Sequence, residues 1–483
     1  MEQKSLSNAL GQEVLILNPE YKIRMDKDNR VILAHVLPYE FQKGWVIHPG
    51  VGFILSLFDG NHTETEVWEI VRYVGGLTDN QLQGLIKKLR TWQHRIPQLL
   101  IPISQVPMSR RYRKTRIDYE KLKRFLILPS QVKLDEPHRF YSPLVIVLLP
   151  TYRCFADCIY CYAERRKIHS ELPLGRIKEI IDEAAELKVF HFSLSGGDPF
   201  MRADILEILR HMVYRGFDTT PSTKKPLSWQ MVNNLADIGI SSVQVSLDTC
   251  DPLLADVMTR SREYLKHATQ TIRRLLKVGI DARVNAVITS FNIRYIDELC
   301  KYLLDLGVTA INLSRYSRSA YRHSDLLFVN DEDIKILQEK VEQIRHRYPD
   351  AHITMNYELT KSYYEGRERA WKERVKCSAG TEGMVIAPDG KVVLCEQLPT
   401  IGDSVVGDIT TQSISEIWHS DRLLSLIYPP REKFKGTVCF DCEDFEVCHQ
   451  GKGRCIRDAF RAYGTIFAPS PLCPRAPIGL RLF

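Results

Sequence analysis

The chain has 483 residues, 44% of them hydrophobic and 26% charged, which excludes global disorder and exceeds what one compact core usually holds. Its 66 basic and 59 acidic residues leave a net charge of +7, too mild over this length to mark a nucleic-acid binder but compatible with weak attraction for an acidic peptide. Met1 to Glu13 is polar and lacks the basic-then-apolar order of a secretory signal, and the strongest apolar run, Leu144 to Leu149, is far too short to span a bilayer. The expectation is a cytoplasmic protein with no membrane and no nucleic-acid partner. In a reducing cytoplasm its twelve cysteines point to metal ligation before disulfides.

The first hundred or so residues carry no cysteine and have a pattern of their own. Apolar stretches Val14 to Leu17, Tyr21 to Met25 and Val31 to Val36 are separated by Asn18-Pro19 and Asp26 to Asn29, which predicts three short strands joined by turns. Gly50 to Phe58 has helical apolar spacing, Thr63-x-x-Glu66 opens a second helix with a capping box, and Thr78-x-x-Gln81 opens a third. Three strands and three helices predict a winged-helix-like α+β module over residues 1–105. The segment from His48-Pro49-Gly50 to Leu57-Phe58-Asp59-Gly60 resembles the PqqD-like elements that recognise leaders of ribosomally made, modified peptides. That resemblance implies a leader peptide added as a strand at a sheet edge; a winged-helix cap without a ligand is the competing reading. Residues 106–140 read as a linker, with the basic run Ser109 to Arg116 as a solvated arm or a contact for an acidic leader.

From Leu144 onward apolar runs alternate with amphipathic helices. Strands are predicted at Val145 to Leu149, His191 to Leu194, Ser242 to Leu247, Arg283 to Thr289 and Ala310 to Ser314, and helices near 175–188, 203–215, 264–278 and 296–306. Repeated βα units predict a parallel sheet, open or partly closed as a barrel, over residues 141–345, with the active site at the carboxyl ends of the strands. Directly after the first strand stands Cys154-x3-Cys158-x2-Cys161. Three thiolates on one loop suit three irons of a [4Fe-4S] cluster and leave the fourth iron open. A structural zinc site would want a fourth ligand, and none stands at a typical short spacing.

This spacing, with Tyr160 just before the last cysteine, resembles the radical S-adenosylmethionine superfamily, and further matches follow in order. Gly196-Gly197-Asp198-Pro199 is similar to the family's Gly-Gly-Glu-Pro motif, whose backbone meets the amino group of the methionine moiety. Ser246-Leu247-Asp248 ends the fourth strand, where the family places contacts to the methionine carboxylate or the ribose. Ser222-Thr223-Lys224 departs from the Thr-Asn-Gly of related enzymes, and Asn285 and Ser314 are further candidates on the fifth and sixth strands. The resemblance implies a partial (β/α)6 barrel in which Cys154, Cys158 and Cys161 hold the cluster. Tyr160, Gly196, Gly197, Asp198, Pro199, Ser222, Ser246, Asp248 and Ser314 would contact S-adenosylmethionine. It also implies chemistry carried by a 5′-deoxyadenosyl radical, with the protein supplying orientation and exclusion of water. No side chain is assigned as a catalytic acid or base.

Residues 346–483 hold seven more cysteines. Pro388-Asp389-Gly390 predicts a hairpin turn between Met384 to Ala387 and Lys391 to Leu394. The arrangement C-x12-G-x4-C, then C-x2-C-x5-C-x6-C, then a last cysteine, resembles the SPASM extension of peptide-modifying radical enzymes, with x6 where x3 is usual. By the family's ligand order Cys377, Cys395 and Cys455 hold one auxiliary cluster, and Cys439, Cys442, Cys448 and Cys473 the other. That makes three [4Fe-4S] clusters, the first auxiliary one with an iron open to another ligand; zinc-ribbon sites remain an alternative for the C-x2-C pairs. Cys250 and Cys300 are left over: Cys250 follows the fourth strand, as a loop residue or facing the substrate, and Cys300 sits in an amphipathic helix as a core residue. The implied function is maturation of a ribosomal precursor peptide by carbon-carbon or carbon-sulfur crosslinking, with flavodoxin or ferredoxin as electron donor. A sulfatase maturase oxidising Cys or Ser, and an iron-sulfur electron carrier without radical chemistry, are the alternatives. The amino-terminal module argues against the former, the nucleoside-site motifs against the latter.

Overall fold

The computed structural model describes residues 13–37, 40–93, 95–106, 132–134, 139–164, 170–355 and 367–477; the basic run Ser109 to Arg116 lies outside them. Two units, Met1–Tyr141 and Ser142–Phe483, are taken in turn.

In the first unit the strands are β1 (Leu15–Leu17), β2 (Tyr21–Met25), β3 (Val31–Leu37) and β4 (Glu40–Ile47). The helices α1 (Pro49–Leu57), α2 (Glu64–Gly75) and α3 (Asp79–Gln93) precede β5 (Leu100–Pro102). The three-stranded antiparallel sheet runs β2-β3-β4, while β1 pairs antiparallel with β5 in a ribbon of its own. Of the three expected strands only β2 and β3 share a sheet, and its third member is β4. This strand escaped the sequence because only Ile47 of its eight residues is buried, so its outer face is polar and carries no alternating signal. Both expected caps form: Thr63 and Glu66 exchange hydrogen bonds at the start of α2, and the Thr78 amide donates to Gln81 at 2.9 Å. Helix α2 turns Val67, Trp68, Val71 and Val74 inward, against Phe53, Ile54, Leu57 and Phe58 at and just after α1 and Leu82, Ile86 and Leu89 of α3.

The second unit opens with β6 (Val145–Leu148), followed by α4 (Leu174–Glu186), β7 (His191–Leu194), α5 (Ile205–Tyr214), β8 (Ser222–Thr223) and α6 (Trp229–Ile238). It continues through β9 (Ser242–Ser246), α7 (Pro252–Thr259), α8 (Tyr264–Lys277), β10 (Asp281–Ile288), α9 (Ile296–Asp305), β11 (Ala310–Arg315), α10 (Asp331–Arg347) and β12 (His352–Met355). Strands β8 to β12 form one parallel sheet. β6 and β7 are parallel in another, where β6 also pairs parallel with β13 (Gly383–Ile386), which forms an antiparallel hairpin with β14 (Lys391–Val393). The barrel is thus two half-sheets. The boundary expected at residue 345 falls inside α10, and β12 pairs with β11, so the barrel sheet extends to Met355.

Strand alternation builds the interior. On β9, β10 and β11 one set of residues, Val243, Val245, Ala282, Val284, Ala286, Ile288, Ile311 and Leu313, is buried in the main core. The alternate set, Gln244, Ser246, Asn285, Val287 and Ser314, lines a cavity inside. Polar residues tie this inner layer: Ser314 Oγ donates to Asn285 Oδ1 at 2.7 Å and Thr354 Oγ1 to Asn312 Oδ1 at 2.8 Å. The hairpin turns at Gly390, whose φ of +87° falls in the left-handed region, and an added Cβ would stand 2.5 Å from Thr410 Cγ2. We expect Gly390→Ala to cost about 1 kcal/mol or more and to lower the thermal unfolding midpoint, measured by circular dichroism.

Candidate active site and cysteine clusters

The loop after β6 carries Cys154, Cys158 and Cys161, and it is held by contacts from four other segments. Asp157 N donates to Thr259 O and Ile159 N to Met258 O, both at 3.0 Å, so the loop lies along the end of α7. Arg322 Nη1 donates to the carbonyls of Asp157 and Cys158 at 2.9 and 2.6 Å. Tyr160 donates its hydroxyl to Asp248 Oδ2 and accepts from Lys224 Nζ at 2.9 Å.

The loop after β7 meets the cysteine loop backbone to backbone. Gly197 N donates to Thr151 O at 2.9 Å and Asp198 N to Arg153 O at 2.8 Å. At Gly197 a Cβ would come within 2.1 Å of Arg153 O, so only glycine allows this approach. The Asp198 carboxylate turns toward the segment after β8, accepting from Lys224 N at 2.9 Å, Lys225 N at 3.0 Å and Thr223 Oγ1 at 2.9 Å, besides Phe200 N at 3.0 Å. Four donors satisfy a carboxyl whose ionisation burial opposes.

These loops enclose a cavity of about 380 Å³ at the carboxyl ends of the strands, lined by all three cysteines together with Tyr160, Gly196, Gly197, Asp198, Ser222, Ser246 and Ser314. Pro199 and Asp248, expected at the same ligand, are not among the lining residues. Pro199 is buried and opens a 3-10 turn. Asp248 stands behind the wall, where it accepts from Val287 N at 2.8 Å and from Tyr160, and pairs with Lys224 Nζ at 3.5 Å.

Lys224, Tyr162, Glu396 and Gln397 also line the cavity, and sequence reasoning did not assign them. Lys224 drew notice only as a departure from a family motif. Tyr162 follows Cys161 and Glu396 follows Cys395; adjacency to a metal-ligand candidate was the available signal. Glu396 accepts from Ser195 Oγ at 2.7 Å and from Tyr162 OH at 3.1 Å, linking both motif loops of the barrel to the extension.

The remaining cysteines fall into two groups. Burial raises the pKa of Cys377, Cys395 and Cys455, and the thiols of Cys395 and Cys455 both feel Cys377. Cys439, Cys442, Cys448 and Cys473 together line a second cavity of about 480 Å³, close to α14 (Phe445–Gln450) and α15 (Ile456–Tyr463); the intervening α11 (Arg367–Glu373), α12 (Ile414–Trp418) and α13 (Asp421–Ile427) complete the helices. Cys250 packs against the barrel core and Cys300 is buried within it, and neither lines the first cavity.

No cysteine of the chain is in a disulfide, and several thiols have the wrong acidity for nucleophiles. Burial pushes Cys158 and Cys439 up to about 11 and Cys455 to about 12, whereas reactive thiols have lowered values. Among the described residues no three His, Cys, Asp or Glu groups converge tightly enough for a single ion. Grouped thiols around roomy cavities fit clusters instead, since metal ligation deprotonates a thiol outright.

The comparisons agree with this geometry. The radical SAM superfamily model matches residues 148–306, and the model of SPASM, an iron-sulfur cluster-binding domain, matches residues 377–443. A PqqA peptide cyclase of Rhizobium meliloti is 25% identical over 351 residues, covering 71% of this chain and 90% of the relative. One of Rhodopseudomonas palustris is 26% identical over 357 residues, covering 71% and 90%. The crystal structure of Streptococcus suis SuiB bound to S-adenosylmethionine shares the fold, with a TM-score of 0.64 at 18% identity, covering 95% of this chain and 100% of SuiB. The barrel with its cysteine loop places the chain in the radical SAM superfamily. Within it, the chain belongs to the group with a SPASM extension, and its cofactors are S-adenosylmethionine and iron-sulfur clusters.

Gly197→Ala pushes the two motif loops apart, and we expect a roughly 100-fold loss of 5′-deoxyadenosine formation with unchanged iron content, measured by anaerobic chromatography and iron assay.

Proposed function

We propose that the chain is a radical SAM peptide maturase that abstracts hydrogen from a side chain of a ribosomally made precursor and forms a crosslink. The observation that carries this is the single cavity where Cys154, Cys158 and Cys161 meet the Gly196-Gly197 loop and Glu396, next to Cys395 of the extension. The PqqA peptide cyclases among the relatives supply the peptide as substrate class.

In this reading Cys154, Cys158 and Cys161 would hold an iron-sulfur cluster. When bound there, S-adenosylmethionine supplies a 5′-deoxyadenosyl radical. The backbone of Gly196 and Gly197 receives its methionine end, and Ser222, Ser246 and Ser314 present hydroxyls from the inner face of the strands. Lys224, neutralised by Asp248, fixes Tyr160 and with it the cysteine loop. Glu396, a carboxylate lining the cavity, is best placed to take a proton from the peptide, with Ser195 and Tyr162 holding its two oxygens.

Cys377, Cys395 and Cys455 would hold one auxiliary cluster and Cys439, Cys442, Cys448 and Cys473 the other, for three [4Fe-4S] clusters in all. The amino-terminal unit would bind the leader at its sheet edge, and a flavodoxin or ferredoxin in the cytoplasm would deliver the reducing electron. No described helix is long and apolar enough to cross a membrane.

The test is anaerobic incubation of the reconstituted, reduced protein with S-adenosylmethionine and peptides encoded beside its gene, followed by mass spectrometry. We expect 5′-deoxyadenosine and a peptide lighter by the hydrogens lost, both absent in Cys158→Ala. A fully loaded wild type that makes neither refutes the reading. Iron analysis should return roughly twelve irons per chain, and no more than about four would remove both auxiliary clusters.

A further inference from the structure

The link between Cys448 and Cys455 is three residues longer than the usual spacing, and its sequence is His449-Gln450-Gly451-Lys452-Gly453-Arg454. The chain folds back on itself there. Gly453 has φ of +71° and its N–H donates to Cys448 O at 2.9 Å, Cys377 N donates to Lys452 O at 3.3 Å, and Arg374 Nε donates to Gly453 O at 3.0 Å. This fold carries the next side chain, Arg454, inward. It is 6% exposed, and its guanidinium lies over the Phe434 ring, 4.9 Å from the centroid.

Two of its nitrogens, Nε and Nη1, are buried without a hydrogen-bond partner. A buried guanidinium left in this way costs several kcal/mol unless something anionic compensates it. Burial works against its charge, and the groups that oppose burial are Cys439, Cys377, Cys448 and Cys455, two from each auxiliary set; Arg454 lines the second cavity with Cys439, Cys442, Cys448 and Cys473 and directly precedes Cys455 in the chain.

Among the other arginines nearby, Arg461 also has a buried Nε without a hydrogen-bond partner but faces only Cys395 and Cys455 of the first set, and the rest are committed. Arg475 Nη1 donates to Cys442 Sγ at 3.0 Å and Arg374 Nη2 to Cys448 Sγ at 4.0 Å, both within the second set. Arg457 beside the first set pairs with Asp458 at 2.9 Å. Arg454 alone among these faces both sets with N–H groups to spare.

An iron-sulfur cluster with its thiolates is anionic, and reduction adds one more negative charge. Net charge, hydrogen bonds to sulfur and exclusion of solvent set the potential. A desolvated cation therefore favours the reduced state of whatever cluster it faces.

We propose that Arg454 is a positioning residue shared by the two auxiliary clusters, donating to cluster sulfur and raising both reduction potentials so that the pair accepts an electron from the peptide. This deepens the peptide-maturase reading and rests on its two auxiliary clusters, whose presence iron and sulfide counts establish separately. After the new bond forms, the product radical gives one electron to an oxidised auxiliary [4Fe-4S] cluster and one proton to a base, leaving a closed-shell peptide and a reduced cluster. From there the electron leaves to the external carrier protein.

The experiment is an anaerobic redox titration of the full-length reconstituted protein followed by electron paramagnetic resonance, with no peptide present. Arg454→Gln should load all clusters and shift both auxiliary midpoints to more negative values, leaving that of the cluster on Cys154, Cys158 and Cys161 unmoved. Arg454→Lys keeps the charge on a single nitrogen that cannot serve two sets equally, so the two auxiliary midpoints should separate. Auxiliary midpoints at wild-type values in whichever variant loads its clusters overturn the proposal. Failure of both variants to load iron, with native circular dichroism, also overturns it and assigns Arg454 to cluster assembly.

Discussion

The backbone of Gly197 lies so close to the carbonyl of Arg153 that a single added carbon would overlap it. On that contact the site depends. It brings the loop after β6, with its three cysteines, against the loop after β7, and the Asp198 carboxylate then ties the second loop to the segment after β8. Three consecutive strand ends are thereby joined without bulk between them, and the space that side chains would have taken becomes a cavity. Polar residues on the inner faces of β9, β10 and β11 keep that cavity open, where a closed barrel would fill it with branched apolar side chains.

The extension completes the barrel as much as it follows it. Strand β13 pairs with β6, the strand that leads into the cysteine loop, and the segment after its hairpin with β14 brings Glu396 and Gln397, next to Cys395 in the chain, to the same cavity. Hydrogen bonds from Ser195 and Tyr162 to Glu396 mean that a side chain beside one cysteine group is held by residues beside another.

The charge around the cysteines differs from site to site. At the first loop, Lys224 stands beside Tyr160 and is neutralised by Asp248. Around the last seven cysteines most of the cations are arginines, whose planar forks can each reach sulfur from a fixed angle. A mild net charge of +7 for the whole chain concealed this local concentration.

The amino-acid sequence by itself determined the elements with strong local signals. Cys154-x3-Cys158-x2-Cys161, the paired glycines, the capping boxes of α2 and α3 and the Gly390 turn each rest on a few neighbouring residues, and each stands in the structure where the spacing puts it. Tertiary structure alone decided the pairings between distant segments. β1 paired with β5 in a ribbon of its own, β4 joined β3 in the amino-terminal sheet, β12 extended the barrel, and β13 joined β6. Asp248 went behind the cavity wall, while Lys224 and Glu396 came into it. The physical reason is that periodicity reports which side of a strand is buried, whereas partners across a sheet and the direction of a polar side chain are settled by backbone hydrogen bonds and ion pairs formed between residues far apart in the chain.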